Sequence, residues 1–209
     1  MQPHQISLLG TGEPELEAEP VFVRTQLDPH SWIDFAPGWM HGADTLLAEI
    51  VEDLPWQQGR RWMYDRMVDD PRLTCFQPRT VPTRPALLGS ARAALSARYG
   101  VRVGRPAFNY YRDGRDSVAP HSDRELRELD DTIVAILTLG ARRPFLVKAK
   151  TGGPSRDLSP GSGDLLVMGG RTQMDWEHAV PKVRQSGPRV SVSWRWSTRR
   201  PRAPGTLAP

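Results

Sequence analysis

Apolar positions recur along the chain with two different periods. Leu46, Leu47, Ile50 and Val51 repeat at helical spacing behind Asp44, which predicts a capped helix halted near Pro55. Leu87, Leu88, Ala91 and Leu95 repeat the same way between Pro85 and Gly100, and predict a second helix. The other apolar runs are short and separated by Gly and Pro, and they predict strands over 21–27, 72–77, 102–112, 132–139, 145–149, 164–168 and 189–196. Helices early and many short strands later predict a mainly β fold with flanking helices (α+β), a double-sheeted jelly roll buttressed by N-terminal helices.

The last run has two distinct faces. Arg189, Ser191, Ser193 and Arg195 fall on one side of an extended strand, and Val190, Val192, Trp194 and Trp196 on the other. If the polar side looks into the jelly roll, each guanidinium needs an anion to offset its burial, and a dicarboxylate would supply two. If that side is solvated, the strand is an ordinary antiparallel one.

Composition narrows the setting. A chain of 209 residues suits one catalytic domain, expected over 21–198. Residues 1–20 hold Glu13, Glu15, Glu17 and Glu19 without a basic residue and are expected to form an acidic mobile arm; 199–209, rich in Pro, Arg and Ala, are expected to form a tail. The single cysteine, Cys75, excludes an intramolecular disulfide, so the protein is expected inside the cell, in the cytoplasm. It is expected to be a monomer, and neither a leader segment nor a membrane span is expected. Charge is divided unevenly: residues 1–100 carry 9 basic and 13 acidic side chains, and 101–209 carry 19 and 11. A basic half can attract phosphate backbones, although it can equally be a solvated face.

The candidate chemistry lies in that basic half. His121-Ser122-Asp123 and the distal His178 offer two imidazoles and a carboxylate, a set that leaves three coordination positions open and suits a non-haem Fe(II) site that activates oxygen. The same ligands also accept Mn, Co or Zn. Most short H-x-D triplets are surface turns, so the companions matter. Upstream stands Asn109-Tyr110-Tyr111-Arg112-Asp113-Gly114, and downstream Trp176-Glu177-His178 and the strand from Arg189 to Arg195.

Taken together, residues 71 to 197 resemble the AlkB family of Fe(II)- and 2-oxoglutarate-dependent nucleic-acid dealkylases, whose pattern runs N-x-Y-x-D/E-G, H-x-D, a distal His and R-x-N/S-x-x-x-R. The resemblance implies a double-stranded β-helix, Fe(II) on His121, Asp123 and His178, and 2-oxoglutarate as cosubstrate. It implies that Arg189 holds the distal carboxylate and Arg195 the keto-acid end, with Asn109 and Tyr111 completing the pocket. Ser191 stands where the family often has Asn, and its shorter side chain puts one cosubstrate hydrogen bond in question.

The substrate residues follow less directly. Glu125 matches a position from which some relatives read the amino edge of the target base, whereas Arg124 replaces an acid found in certain of them. Residues 56–82 correspond to the family's nucleotide-recognition lid, and there Trp62 and Tyr64, among several arginines, are candidate stacking residues, although the lid's detailed motifs do not match. Trp176 either walls the site or belongs to the core. The resemblance implies oxidative dealkylation of N-alkylated bases in DNA or RNA, with the base flipped or already single-stranded. The alternatives are a same-fold oxygenase acting on a small molecule or protein side chain, and a nucleic-acid reader with a structural metal site.

Overall fold

The computed structural model describes residues 11–63 and 65–198, the side chain of Met63 excepted. Its elements are strands β1 (Glu15–Leu16), β2 (Val23–Asp28), β3 (Ser31–Ala36) and β4 (Met40–His41), helix α1 (Ala43–Asp53), strands β5 (Gln57–Met63) and β6 (Arg66–Phe76), and helix α2 (Leu87–Tyr99). Then come β7 (Ala107–Tyr111), β8 (Val118–His121), β9 (Thr132–Gly140), β10 (Leu146–Ala149), β11 (Arg156–Asp157), β12 (Leu165–Gly170), the short helix α3 (Thr172–Asp175), β13 (Trp176–Val180) and β14 (Arg189–Ser197).

Two antiparallel sheets make the jelly roll. The larger runs β2-β3-β12-β9-β14-β7-β6-β5 and the smaller β11-β10-β13-β8. Strand β9 explains the layering, because every residue from Thr132 to Leu139 is buried and successive side chains point to opposite layers. Ile133, Ala135, Leu137 and Leu139 pack with Leu46 and Ile50 of α1 and Leu88, Ala91 and Leu95 of α2. Val134 and Ile136 instead meet Val147 and Val180 of the smaller sheet. The helices thus cover one face of the large sheet and the small sheet covers the other, as the sequence pattern predicts.

Local chemistry corrects several details. Asp44 does not cap α1: Gly42 does, in a left-handed conformation (φ 58°), and the Asp44 carboxylate accepts a hydrogen bond from the Ser162 hydroxyl at 2.7 Å. A side chain at Gly42 would collide with the backbone of Gly12 and Glu13. Gly100 (φ 65°) ends α2 as its position suggests. The strand expected over 102–112 is confined to 107–111, just past Pro106, which has no N–H for a ladder. Strand β6 begins at Arg66 rather than 72, paired with a β5 too polar to read as a strand.

Within the segment expected as an acidic arm, residues 1–10 lie outside the described residues, but Glu15–Leu16 pairs with Met40–His41 and the Glu17 carboxylate meets the His41 imidazole at 2.8 Å. The part from residue 15 onward is therefore tied to the domain. The expected tail, 199–209, lies outside the described residues. No helix among the described residues is long and apolar enough to cross a membrane.

Leu137 is fully buried between Leu165 of β12 and Val192 of β14, its register neighbours on the two sides. Leu137→Ala should lower unfolding free energy by about 2–5 kcal/mol, measured by urea denaturation, because the neighbouring strands cannot close the cavity.

Candidate active site

Strand pairing creates the metal-ligand cluster. In the small sheet His178 of β13 lies directly opposite His121 of β8, and their rings are 4.3 Å apart between centroids. Asp123 follows two residues after β8 ends. One ligand atom from each of His121, Asp123 and His178 lies within 4.8 Å of the others, close enough to converge on one ion.

Each ligand is prepared by its surroundings. Burial, reinforced by His121, pushes the His178 imidazole down to about 3, so this ring is neutral at physiological pH and keeps a lone pair for a metal. His121 Nδ1 stands 2.9 Å from the carbonyl oxygen of Ala119, an acceptor that requires the proton on Nδ1 and leaves Nε2 free to coordinate. Burial raises the Asp123 carboxyl, but Arg195 and the two histidines outweigh it and hold the group below the ordinary carboxylate range. Arg195 Nε donates to Asp123 Oδ2 at 2.6 Å and Nη2 to Oδ1 at 3.4 Å.

The polar face of β14 looks into the sandwich, as the buried alternative requires. Register places Arg189 opposite Tyr111, and Ser191 opposite Asn109 of β7 on one side and Thr138 of β9 on the other. Arg189 is fully buried, and its Nη1 and Nη2 donate to the hydroxyls of Ser191 at 2.5 Å and Thr138 at 3.1 Å. Its Nε has no partner and no carboxylate pairs with it among the described residues. Burial pushes this guanidinium down to about 10, which still leaves it charged at neutral pH. A buried cation held by two neutral hydroxyls and standing 5.3 Å from the centre of the Tyr111 ring, with no carboxylate beside it among the described residues, fits a carboxylate ligand, and a two-histidine, one-carboxylate cluster fits a divalent metal. The site therefore suits Fe(II) and 2-oxoglutarate together.

Asn109, Tyr111, Ser191, Ser193 and Arg195 line the same pocket as the triad, a cavity of about 540 Å³, whereas Arg189 is not part of its wall and touches it through the Ser191 hydroxyl. Arg195, expected at the keto-acid end of the cosubstrate, lines it while already gripping Asp123. Asn109 accepts a hydrogen bond from Arg72 Nε at 2.9 Å. At the mouth stand Glu125 and Arg124, together with Arg61, Arg72 and Phe76 of the β5–β6 hairpin.

Two aromatic candidates lie elsewhere. Trp62 is 67% exposed opposite Met67 near the hairpin tip and does not line the pocket. Tyr64 lies outside the described residues. Trp176, which shares its strand face with His178, is also absent from the pocket wall: its indole N–H donates to Asp28 Oδ2 at 2.6 Å and its half-buried ring packs against the core between the sheets. From the same lid segment Trp56 turns inward against Phe108 and Tyr110.

Sequence reasoning missed three supporting side chains. Thr138 interrupts the apolar run that begins at Ile133 in β9, an interruption that could have marked it. Arg143, buried after β9, donates to the carbonyls of Asp113, Asp116 and Pro181 and so ties the turn before β8 to the end of β13. In that turn a side chain at Gly114 would collide with the Val183 carbonyl, which accounts for the glycine. The third is Gln173 of α3, whose Oε1 accepts the backbone N–H of Asp123.

Comparison with known proteins agrees with this geometry. A model of the 2OG-Fe(II) oxygenase superfamily matches residues 39–202. Alpha-ketoglutarate-dependent dioxygenase alkB homolog 3 of Mus musculus is 30% identical over 176 residues, covering 73% of this chain and 61% of the relative. DNA oxidative demethylase ALKBH2 of Arabidopsis thaliana is 26% identical over 204 residues, covering 78% and 63%. The chain thus spans about three fifths of the length of these curated relatives. An oxidoreductase of the 2OG-Fe(II) oxygenase family from Burkholderia pseudomallei shares the fold, with a TM-score of 0.52 at 20% identity over 73% of this chain and 78% of that one. With the matched segment reaching from the helical layer through both histidines and both arginines, the chain belongs to the 2OG-Fe(II) oxygenase superfamily and is AlkB-like within it.

Proposed function

We propose that the chain removes N-alkyl groups from bases of DNA or RNA by oxidation. The observation that carries this reading is the pocket itself, which leads from the metal-ligand cluster to a mouth edged by Arg61, Arg72, Arg124 and the 70% exposed ring of Phe76. Guanidinium groups attract phosphates, and an aromatic face stacks on an unpaired base. The relatives named as an alkB homologue and a DNA oxidative demethylase support the same substrate class.

Residue roles follow from position. His121, Asp123 and His178 would hold Fe(II), and Arg189, with Ser191 and Thr138 fixing its fork, would take the distal carboxylate of 2-oxoglutarate beside Tyr111 and Asn109. Arg195 orients the Asp123 carboxylate and, lining the same pocket, would meet the remaining end of the cosubstrate. The bound metal and cosubstrate would supply oxidation of the N-alkyl carbon by O₂, with 2-oxoglutarate converted to succinate and CO₂ and the hydroxylated carbon released as an aldehyde. Glu125 at the mouth accepts hydrogen bonds from the amino edge of the base, and Trp62 on the projecting hairpin meets a neighbouring nucleotide. Because the metal cluster lies inside the sandwich, the target base must leave its stack or start unpaired.

His121→Ala, Asp123→Ala and His178→Ala should each abolish succinate formation in the presence of Fe(II) while leaving the circular dichroism spectrum unchanged. Normal turnover in any one would remove that residue from the cluster. Arg189→Lys keeps the charge but loses the fork, and should weaken 2-oxoglutarate binding by about 1–3 kcal/mol in calorimetric titration. Glu125→Gln should alter the ranking of methylated bases in an oligonucleotide panel read by mass spectrometry, with little change in succinate formed without substrate. If no alkylated oligonucleotide raises turnover at low salt, the nucleic-acid assignment fails and a hydroxylase of small molecules or protein side chains becomes the better reading.

A further inference from the structure

We infer that Gln173 is a positioning residue for the metal centre, holding the carboxylate ligand from behind through its backbone; this rests on the reading of His121, Asp123 and His178 as metal ligands. Asp123 needs such support because it lies beyond the end of β8. The ladder to β13 fixes His121 through its pairing with His178, but no ladder reaches Asp123. Its side chain is held by Arg195, and its backbone N–H by Gln173 Oε1 at 2.9 Å, from a residue 50 positions away.

The choice of side chain is informative. Gln173 is completely buried, and its Nε2 has no hydrogen-bond partner among the described residues. Burying an amide with an idle donor carries a desolvation cost that Met or Leu at the same place would avoid. The one polar contact that offsets it is the bond to Asp123. The amide is therefore present for its acceptor, and that acceptor serves a metal ligand.

The rest of α3 makes this acceptor a fixed point. Lys150 Nζ donates to the carbonyls of Gln173 and Met174 at 3.1 and 2.7 Å, and Arg171 pairs with Asp175 across the helix at 2.8 Å. The helix runs directly into β13, so one continuous segment grips Asp123 at residue 173 and presents His178 five residues later. Distance between the two ligands is thus set by a single short element as well as by the sheet.

Outer contacts of this kind typically change metal affinity about 10–100-fold when removed. The test is titration of the metal-free full chain with Co(II), followed by its visible absorption bands and by competition with a chelator, alongside thermal melting without metal. Gln173→Met removes the acceptor at similar size and should weaken Co(II) binding about 10–100-fold. Gln173→Glu keeps an oxygen in either protonation state and should restore most of the affinity. Should Gln173→Met fail to fold, the smaller Gln173→Asn, whose acceptor is drawn back by one methylene, should show the same loss. Wild-type Co(II) affinity in a folded Met or Asn variant, even one with a lowered melting temperature, would overturn the inference and leave Gln173 a packing residue. If wild type binds Co(II) no better than His178→Ala does, the metal-site reading itself has failed, and this inference with it.

Discussion

A guanidinium held out of water without a counter-ion is the constraint on which the site depends. Arg189 is fully buried, its fork is fixed by two neutral hydroxyls, and one of its nitrogens is left without a partner. Such a group weakens the isolated fold unless an anion arrives to offset its burial. Its placement follows from the strand that carries it: β14 must bury Val190, Val192 and Trp194 against the helical layer, and alternation then drives Arg189, Ser191 and Ser193 into the space between the sheets. Core formation and the burial of these polar groups are two faces of one strand.

The cluster of His121, Asp123 and His178 answers a different constraint, that of bringing side-chain atoms of residues distant in sequence within 4.8 Å of one another. Two of its members, His121 and His178, are cross-strand neighbours in the small sheet, where pairing fixes their separation without further help. The third has no strand and is held from three directions: the turn that begins at its own carbonyl, the Arg195 fork, and the Gln173 amide. The asymmetry shows where the site is rigid by topology and where side chains must make it so.

Much of this was legible in the sequence, and the exceptions share a cause. The two helices, the central strands and the two-faced β14 were visible because each buries a periodic apolar face. Strand β5 was not, since Gln57 to Arg61 carry no apolar residue and the strand is held by backbone pairing to β6. Strand β3 was hidden by Asp34, a charge in a buried position whose partners, Arg24 and the Tyr99 hydroxyl, lie on other elements. The ligands and arginines were legible because their chemistry demands fixed residue types, whereas Gln173 and Arg143 act on backbone atoms of distant segments, contacts that leave no spacing to read. Trp176 shows the limit of parity: it placed the ring beside His178 or in the core, and a carboxylate on β2 that holds the indole decides for the core side.

The charge asymmetry between the halves becomes more specific once the chain is folded. The acidic first half supplies Arg61 and Arg72 to the pocket mouth, while the acids of the same hairpin, Asp69 and Asp70, pair with Arg60 and Arg61 on its surface. The basic second half contributes Arg124 to the mouth beside Glu125, and buries Arg143 and Arg189 behind it. Total charge therefore says little about where an anion would be drawn. What matters is that cations occur at two depths: exposed ones at the rim, where salt screens them, and buried ones inside, where it hardly does. The same residue type therefore serves two electrostatic settings in this fold, and solvent, rather than sequence, distinguishes them.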